Sequence, residues 1–244
     1  MRNLLLTIQY DGTHFHGWQI QKNALSVQAV FQRALERVLD VRPDIKGCSR
    51  TDTGVHARCF GISLQTDSVI AERDLIKALN VNLPKTIAVT ACEEKDMAFH
   101  ARYCAKGKEY VYQILTSELR DPFLTGYALH YPYGLDVPTL HREGQDFVGR
   151  HDFSAFCSSG SNITDPVREV FSFSVTQKEK LALITVSADG FLYNMVRIMV
   201  GTLLKIQQGK ILPGSIPGII ENGDRSKAGH TAPAHGLFLN RVFY

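Results

Sequence analysis

The sequence predicts an α+β fold built from two halves, each with the ferredoxin-like element order β-α-β-β-α-β. Apolar residues that alternate with polar ones indicate short strands, and apolar residues three or four apart indicate amphipathic helices between them. The order of elements in the first half recurs in the second, although the halves share no detectable sequence similarity. We therefore expect two α+β domains, at residues 1–104 and 105–244.

The first half contains four predicted strands and two predicted helices. A serine at the start of the first apolar helical face predicts an N-cap, because its hydroxyl can accept from the open backbone N–H groups. In order, the elements are a strand at 3–10, a helix at 27–39 capped by Ser26, short strands before and after Asp52, a helix around 75–79 and a strand at 87–92.

The second half repeats this order with insertions. Its two middle strands are close enough in sequence to pair as a hairpin. In order, the elements are a strand at 108–115, a helix at 137–148, strands at 168–175 and 181–188 joined across 177–180, a long apolar helix at 191–207 and a final strand at 236–243.

Composition limits the class of protein. The 244 residues are 44% hydrophobic, which is enough to bury a full core. No apolar run reaches membrane-spanning length and the N-terminus leads into a strand pattern, so we expect neither a signal peptide nor a membrane helix. Five widely spaced cysteines without a CxxC pair favour free thiols and a cytoplasmic location. The net charge of +3 is compatible with a nucleic-acid partner but does not require one.

The polar segment Ser-Arg-Thr-Asp-Thr-Gly-Val-His-Ala at 49–57 is the most informative feature of the chain. It places one carboxylate, Asp52, at a tight break between two strands. Active sites generally lie on loops that a rigid scaffold holds in position. Asp52 is therefore a candidate catalytic residue.

Arg197 lies in the middle of the long apolar helix. A buried guanidinium without a partner costs several kcal/mol and cannot escape by losing its proton. Arg197 therefore needs a carboxylate, which a guanidinium can hold through two parallel hydrogen bonds. The pattern is equally compatible with a structural ion pair, with an arginine that extends to the surface, and with a pair that fixes Asp52.

Tyr110 lies in the strand Lys-Glu-Tyr-Val-Tyr at 108–112. Alternating aromatic residues on a strand usually pack in the core or against a neighbouring strand. The flanking Lys106 and Lys108 raise the alternative that the ring stacks on a nucleobase beside lysines that bind phosphate.

Other patterns are weaker. Tyr10-Asp11-Gly12-Thr13 is typical of a turn. His14 and His16 lack a companion cysteine or carboxylate pattern, so a loop contact, for example to RNA, is favoured over a metal site. Residues 229–237 are a loop of small residues that can connect elements or line a pocket. The sequence contains no Walker A motif, dinucleotide fingerprint or Gly-x-Ser-x-Gly elbow, which disfavours nucleotide-cofactor and serine-hydrolase chemistry.

At these segments the chain resembles the tRNA pseudouridine synthase A family. The segment Arg-Thr-Asp-Thr-Gly-Val-His-Ala at 50–57 is similar to the family's signature loop, and five further blocks occur in the family's order along nearly the whole chain. They are Tyr10-Asp11-Gly12 with Gly17-Trp18-Gln19, Phe99-His100-Ala101-Arg102, Lys108-Glu109-Tyr110-Val111-Tyr112, Met195-Val196-Arg197 with Val200-Gly201, and Thr231-Ala232-Pro233-Ala234 with Gly236-Leu237. At Tyr193 and Asn194 some members carry histidines instead.

The resemblance implies a fold and an activity. The two halves would form a pseudouridine-synthase-type antiparallel sheet with a central cleft. The chain would be an isomerase that converts uridine to pseudouridine in the anticodon stem-loop of tRNA, at positions 38–40, with the target base flipped out. It would act as a homodimer, without a cofactor or a metal, and without a membrane partner.

The resemblance also implies roles for individual residues. Asp52 would be the nucleophile, Arg197 its ion-pair partner, and Tyr110 the ring that stacks on the uracil and relays a proton. Arg50 would help to hold the flipped nucleotide. The remaining candidate substrate contacts are Lys108, His56 and Leu237.

A second class of function stays open at this point. The same element order occurs in RNA-recognition modules, so the chain could be an RNA-binding protein without catalytic activity. The paired aromatic motifs of such modules are not evident in these strands. A surface that only binds phosphate also gains nothing from a carboxylate at position 52.

Overall fold

The computed structural model describes residues 1–160 and 164–244, which fall into two compact units. The first unit comprises Met1–Lys106 together with Phe238–Tyr244, and the second comprises Gly107–Leu237. No helix in these described ranges is long and apolar enough to cross a membrane.

The first unit has the predicted order β-α-β-β-α-β, closed by a strand from the C-terminus. Its elements are β1 (Arg2–Tyr10), α1 (Val27–Leu39), β2 (Ile45–Gly47), β3 (His56–Thr66), α2 (Glu72–Asn82), β4 (Ile87–Lys95) and the C-terminal β10 (Leu237–Phe243). The strands lie in the order β4-β1-β3-β10, with β2 beside the second half of β3. The pairs β1–β3 and β1–β4 are antiparallel, whereas β10 runs parallel to β3.

The core of the first unit lies between this sheet and the two helices. Strand β1 is paired on both edges, and Leu4, Leu5 and Leu6, which alternate between its two faces, are all buried. Helix α1 begins at the predicted cap, since the Ser26 hydroxyl accepts from the Ala29 N–H. Its buried face includes Phe31, which is fully buried.

The second unit contains all the predicted elements apart from the last strand, together with short additional ones. Its elements are β5 (Gly107–Leu115), β6 (Leu129–His130), α3 (Val137–Gly144), β7 (Gly149–Asp152), β8 (Val167–Lys178), β9 (Leu181–Ala188), α4 (Met195–Gln207) and α5 (Ile216–Asn222). The strands lie in the antiparallel order β5-β9-β8-β7, and β6 pairs parallel to β5. The predicted α+β class with mainly antiparallel pairing is therefore confirmed.

Two predicted helices are shorter than their apolar patterns suggested. Helix α4 begins at Met195 rather than at 191, because Asn194 has the left-handed φ of 62° and cannot continue a right-handed helix. Helix α3 ends at Gly144 and is followed by a 3-10 turn at Gln145–Phe147, within the predicted range 137–148. The hairpin prediction is confirmed, with Glu179 and Lys180 as its two-residue turn.

Candidate active site

Asp52 begins a tight turn in the segment between β2 and β3. The Val55 N–H donates to the Asp52 carbonyl at 3.1 Å, which closes a four-residue turn. Gly54 occupies the third position with a φ of 78°, a value that favours glycine. Asp52 is half-buried and Arg50 is exposed. The sequence therefore encodes the turn that presents the carboxylate.

The segment that follows β1 fixes this turn in place. The Trp18 N–H donates to the Thr51 carbonyl at 3.2 Å, and the Tyr10 hydroxyl lies 2.8 Å from the Thr51 hydroxyl. On the other side of Asp52, the Gly54 N–H donates to the Phe15 carbonyl at 3.2 Å. Residues on both sides of Asp52 are thus bonded to one short segment, which limits the movement of Asp52.

Two glycines allow this close approach. A Cβ at Gly17, where φ is 77°, would lie 2.3 Å from the Thr51 carbonyl oxygen, and a Cβ at Gly12 would lie 2.0 Å from the Val55 carbonyl oxygen. The sequence pattern at residues 10–18 predicts a turn and a loop contact but does not indicate this supporting role. The signal that could have indicated this role is that Gly12 and Gly17 both belong to one block of the family resemblance.

His56 is buried beneath the same turn. It is 1% exposed, and its Nδ1 accepts from the Gly12 N–H at 3.0 Å. The imidazole stacks on Phe238 with ring centroids 4.6 Å apart, and the Asp11 carboxylate lies 3.2 Å from Nδ1. These contacts give His56 a structural role. Its predicted contact with substrate stays a prediction.

The second unit carries the predicted aromatic and basic residues on β5. Lys108 is half-buried, and Tyr110 and Tyr112 follow on the same face of the strand. The Tyr110 ring is 6% exposed and packs edge-on against Phe191, with centroids 5.0 Å apart. The Tyr112 hydroxyl donates to the Pro233 carbonyl at 2.8 Å, and burial raises the pKa of Tyr112 above its usual range.

Arg197 is held at the start of α4 by neighbours within the second unit. Its Nε donates to the Ala232 carbonyl and its Nη1 to the Asn194 side-chain oxygen, both at 2.7 Å. The Asn194 amide in turn donates to the Ser158 hydroxyl at 2.9 Å. These contacts orient the half-buried guanidinium. The predicted ion pair with Asp52 stays a prediction.

The loop that holds Arg197 packs directly against α4. A Cβ at Gly201 would lie 1.8 Å from the His230 carbonyl oxygen, so only glycine permits this contact. The Gly229 N–H donates to the Thr202 hydroxyl at 2.8 Å, and the Ala232 N–H to the Arg197 carbonyl at 3.0 Å. The sequence analysis interpreted 229–237 as a connection or a pocket wall. The structure makes it the support of the Arg197 guanidinium.

Leu237 closes this loop and is buried at the start of β10, where its N–H donates to the Ala234 carbonyl. The predicted site residues are therefore divided between the two units. The first unit holds Arg50, Asp52 and His56, and the second holds Lys108, Tyr110, Arg197 and Leu237. Their convergence on one substrate stays a prediction.

Comparison with known proteins identifies the family. The family model described as tRNA pseudouridine synthase matches residues 6–104 and 144–244. The curated tRNA pseudouridine synthase A of Acetivibrio thermocellus is 46% identical over 244 residues, and that of Ruminiclostridium cellulolyticum is 45% identical over 245 residues. Both alignments cover 100% of each chain.

Among solved structures, a chain of a Cbf5-Nop10-Gar1 complex matches 96% of this chain and 57% of its own length. Its TM-score of 0.37 and identity of 12% are too low to support an inference. The family model and the curated relatives are sufficient without it. This chain belongs to the tRNA pseudouridine synthase family and is an isomerase.

Proposed function

We propose that this enzyme converts uridine to pseudouridine in the anticodon stem-loop of tRNA, with Asp52 as the nucleophile. The observation that carries this proposal is the support of the Asp52 turn. Hydrogen bonds from Trp18 and Gly54 fix the backbone on both sides of the carboxylate. A half-buried acid held in one orientation suits attack on a positioned substrate, because alignment of reacting groups supplies much of a catalytic effect.

The reaction breaks the N1–C1′ bond of uridine, turns the uracil, joins C5 to C1′, releases the proton from C5 and leaves N1 protonated. It involves no net redox change. Asp52 can attack C1′, attack C6, or remove a sugar proton to give a glycal, and each route uses the same carboxylate. In all three, the target must leave the helical stack at a cost of a few kcal/mol, which protein contacts offset.

The other predicted residues take roles that follow from their chemistry. Arg197 pairs with the ionised Asp52, and its orientation by Asn194 and Ala232 supports such a role. Tyr110 stacks on the uracil and relays the C5 proton. Arg50 and Lys108 contact the backbone of the flipped nucleotide, and His56 and Leu237 line its site.

The Asp52→Asn variant tests the catalytic assignment. Asparagine keeps the size of the side chain but removes the anionic nucleophile, so release of tritium from C5-labelled uridine in tRNA should be abolished. Affinity for tRNA should stay within about tenfold, since binding depends on phosphate contacts. The matched control is Asp44→Asn, an exposed residue before β2, which should retain wild-type release.

The same experiment separates a catalytic role of Asp52 from a role in tRNA binding. Loss of tritium release in Asp52→Asn, with binding retained, supports Asp52 as the nucleophile. Wild-type release by Asp52→Asn would exclude Asp52 as the nucleophile.

We also propose a homodimer in the cytoplasm. The family resemblance supports the dimer, and free thiols at all five cysteines are consistent with a reducing compartment. Light scattering should give twice the chain mass of 27.2 kDa. A mass of one chain at micromolar concentration would contradict the dimer.

A further inference from the structure

A cavity of about 560 Å³ opens in the first unit between α1 and the end of α2. Residues 30–37 of α1, the segment before this helix, the end of α2 and the residues that follow α2 form its walls. The lining residues that matter here are His14, Phe15, Leu25, Arg33, Arg37 and Leu83. We propose that this cavity is a docking site for the tRNA backbone, separate from the site of isomerisation. This inference rests on tRNA as the substrate.

The charge of the cavity fits a polyanion. Arg33 and Arg37 are exposed and lie one helical turn apart on α1, so both present their guanidinium groups on one face. Among the described residues that line the cavity, none is acidic. Glu36, on the same helix, pairs with Arg42 at 3.2 Å. Two neighbouring phosphates along an RNA strand match this arrangement of cations.

The rest of the lining fits a nucleotide. Phe15 and Leu83 form a buried apolar floor, and Leu25 is 46% exposed at its edge. Apolar surface beside arginines is the combination that receives a ribose or an unstacked base together with its phosphate. The volume also lies within the range of about 300–1,000 Å³ that is usual for small-ligand pockets.

The cavity is joined to the Asp52 turn through its own walls. The Phe15 carbonyl, which accepts from Gly54, belongs to a residue that lines the cavity. Thr86, another lining residue, accepts from the Asp11 N–H at 2.9 Å. RNA bound in the cavity therefore contacts the segment that supports Asp52. We infer that docking there brings the tRNA to the catalytic loop in a fixed register.

The test is the affinity of the full chain for unmodified tRNA at several salt concentrations. The double variant R33Q/R37Q should bind about tenfold more weakly. The slope of log Kd against log salt should fall by about 1.5, because each lost phosphate contact contributes about 0.7–0.9. R33K/R37K keeps both charges and should bind within about threefold of wild type, because the phosphate contribution depends on the number of cations.

The matched control is R73Q/K77Q, which removes two exposed cations one turn apart on α2, outside the cavity. It should leave affinity and salt slope unchanged. Equal affinity and slope for R33Q/R37Q and this control, with both variants folded by circular dichroism, would overturn the docking site.

The outcome is independent of the catalytic proposal. Binding is measured without turnover, so wild-type tritium release by Asp52→Asn would contradict only the catalytic role of Asp52. Tritium release by wild type, together with equal binding of R33Q/R37Q and R73Q/K77Q, would contradict only the docking site.

Discussion

At the scale of single residues, glycines and backbone hydrogen bonds hold the Asp52 turn. Gly17 lets the chain pass within van der Waals contact of Thr51, and Gly54 closes the turn that presents the carboxylate. Arg197 is oriented in a comparable way, by one side-chain oxygen and one backbone carbonyl. Each candidate catalytic side chain therefore has supporting neighbours that do not themselves react.

Gly17→Ala should destabilise the protein and reduce its activity. The left-handed φ costs alanine about 1–2 kcal/mol, and displacing the Thr51 carbonyl costs a similar amount again, for a total of about 3 kcal/mol. Gly214→Ala is the matched control, because its φ is 76° and nothing lies within 4 Å of the added Cβ. It should cost only the left-handed strain of about 1–2 kcal/mol. Equal losses in urea unfolding would show that the Thr51 contact is unimportant.

Asn194→Gly should impair the reaction with little effect on folding. Glycine adopts the φ of 62° without strain, but it removes the oxygen that accepts from Arg197. Loss of one hydrogen bond to a charged group should lower the rate of tritium release about tenfold. The control Ser158→Ala removes only the outer hydrogen bond and should stay within about threefold. An unchanged rate in Asn194→Gly would show that Asn194 does not position Arg197.

At the scale of elements, the packing of α4 against the loop at 228–232 decides how Arg197 is held. The helix has an unusual glycine in its interior, where alanine would ordinarily be preferred. At Gly201 that preference is reversed, because the backbone of His230 occupies the space of a side chain. The contact brings the Ala232 carbonyl to the arginine.

Gly201→Ala and Gly218→Ala should therefore have opposite effects on stability. In α5, nothing lies within 4 Å of a Cβ at Gly218, so alanine should stabilise by about 0.5 kcal/mol. In α4, the added methyl would meet the His230 carbonyl at 1.8 Å, so alanine should destabilise by about 2 kcal/mol or more. Thermal melts of the two variants provide the comparison. A stabilising Gly201→Ala would mean that the loop can move away from the helix without cost.

At the scale of the whole molecule, the first unit is discontinuous in sequence. Its sheet is completed by β10, which is separated from β3 by more than half of the chain. The Phe238 ring stacks on His56, and Tyr244 packs against Phe99 with centroids 5.1 Å apart. The Lys106 N–H also donates to the Phe243 carbonyl at 2.7 Å. The C-terminal residues therefore belong to the fold of the unit that carries Asp52.

A fragment of residues 1–106 should consequently be less stable than one in which residues 238–244 are added through a flexible linker. The linker must cross the length of β10, about 20 Å, so roughly ten glycine and serine residues are needed. The longer fragment should melt cooperatively and at a higher temperature, because it covers His56 and the exposed edge of β3. Identical melts of the two fragments would contradict the role assigned to β10.

The sequence alone determined the α+β class, the order of elements in the first unit, the β8–β9 hairpin and the choice of Asp52, Tyr110 and Arg197 as candidates. These features depend on local periodicity, on cap and turn residues, and on motifs whose spacing is visible along the chain. The start of α4 is an exception, because the left-handed backbone of Asn194 makes the helix begin at Met195, later than the apolar pattern predicted.

Only the tertiary structure decided which distant segments support the candidates. The bonds from residues 10–18 to the Asp52 turn, and from the 229–232 loop to Arg197, join residues whose separation in sequence carries no periodic pattern. That β10 belongs to the first unit is likewise visible only in the tertiary structure, because no pattern in the sequence links it to β3. Strand pairing between remote segments depends on complementary surfaces that exist only once both segments have folded.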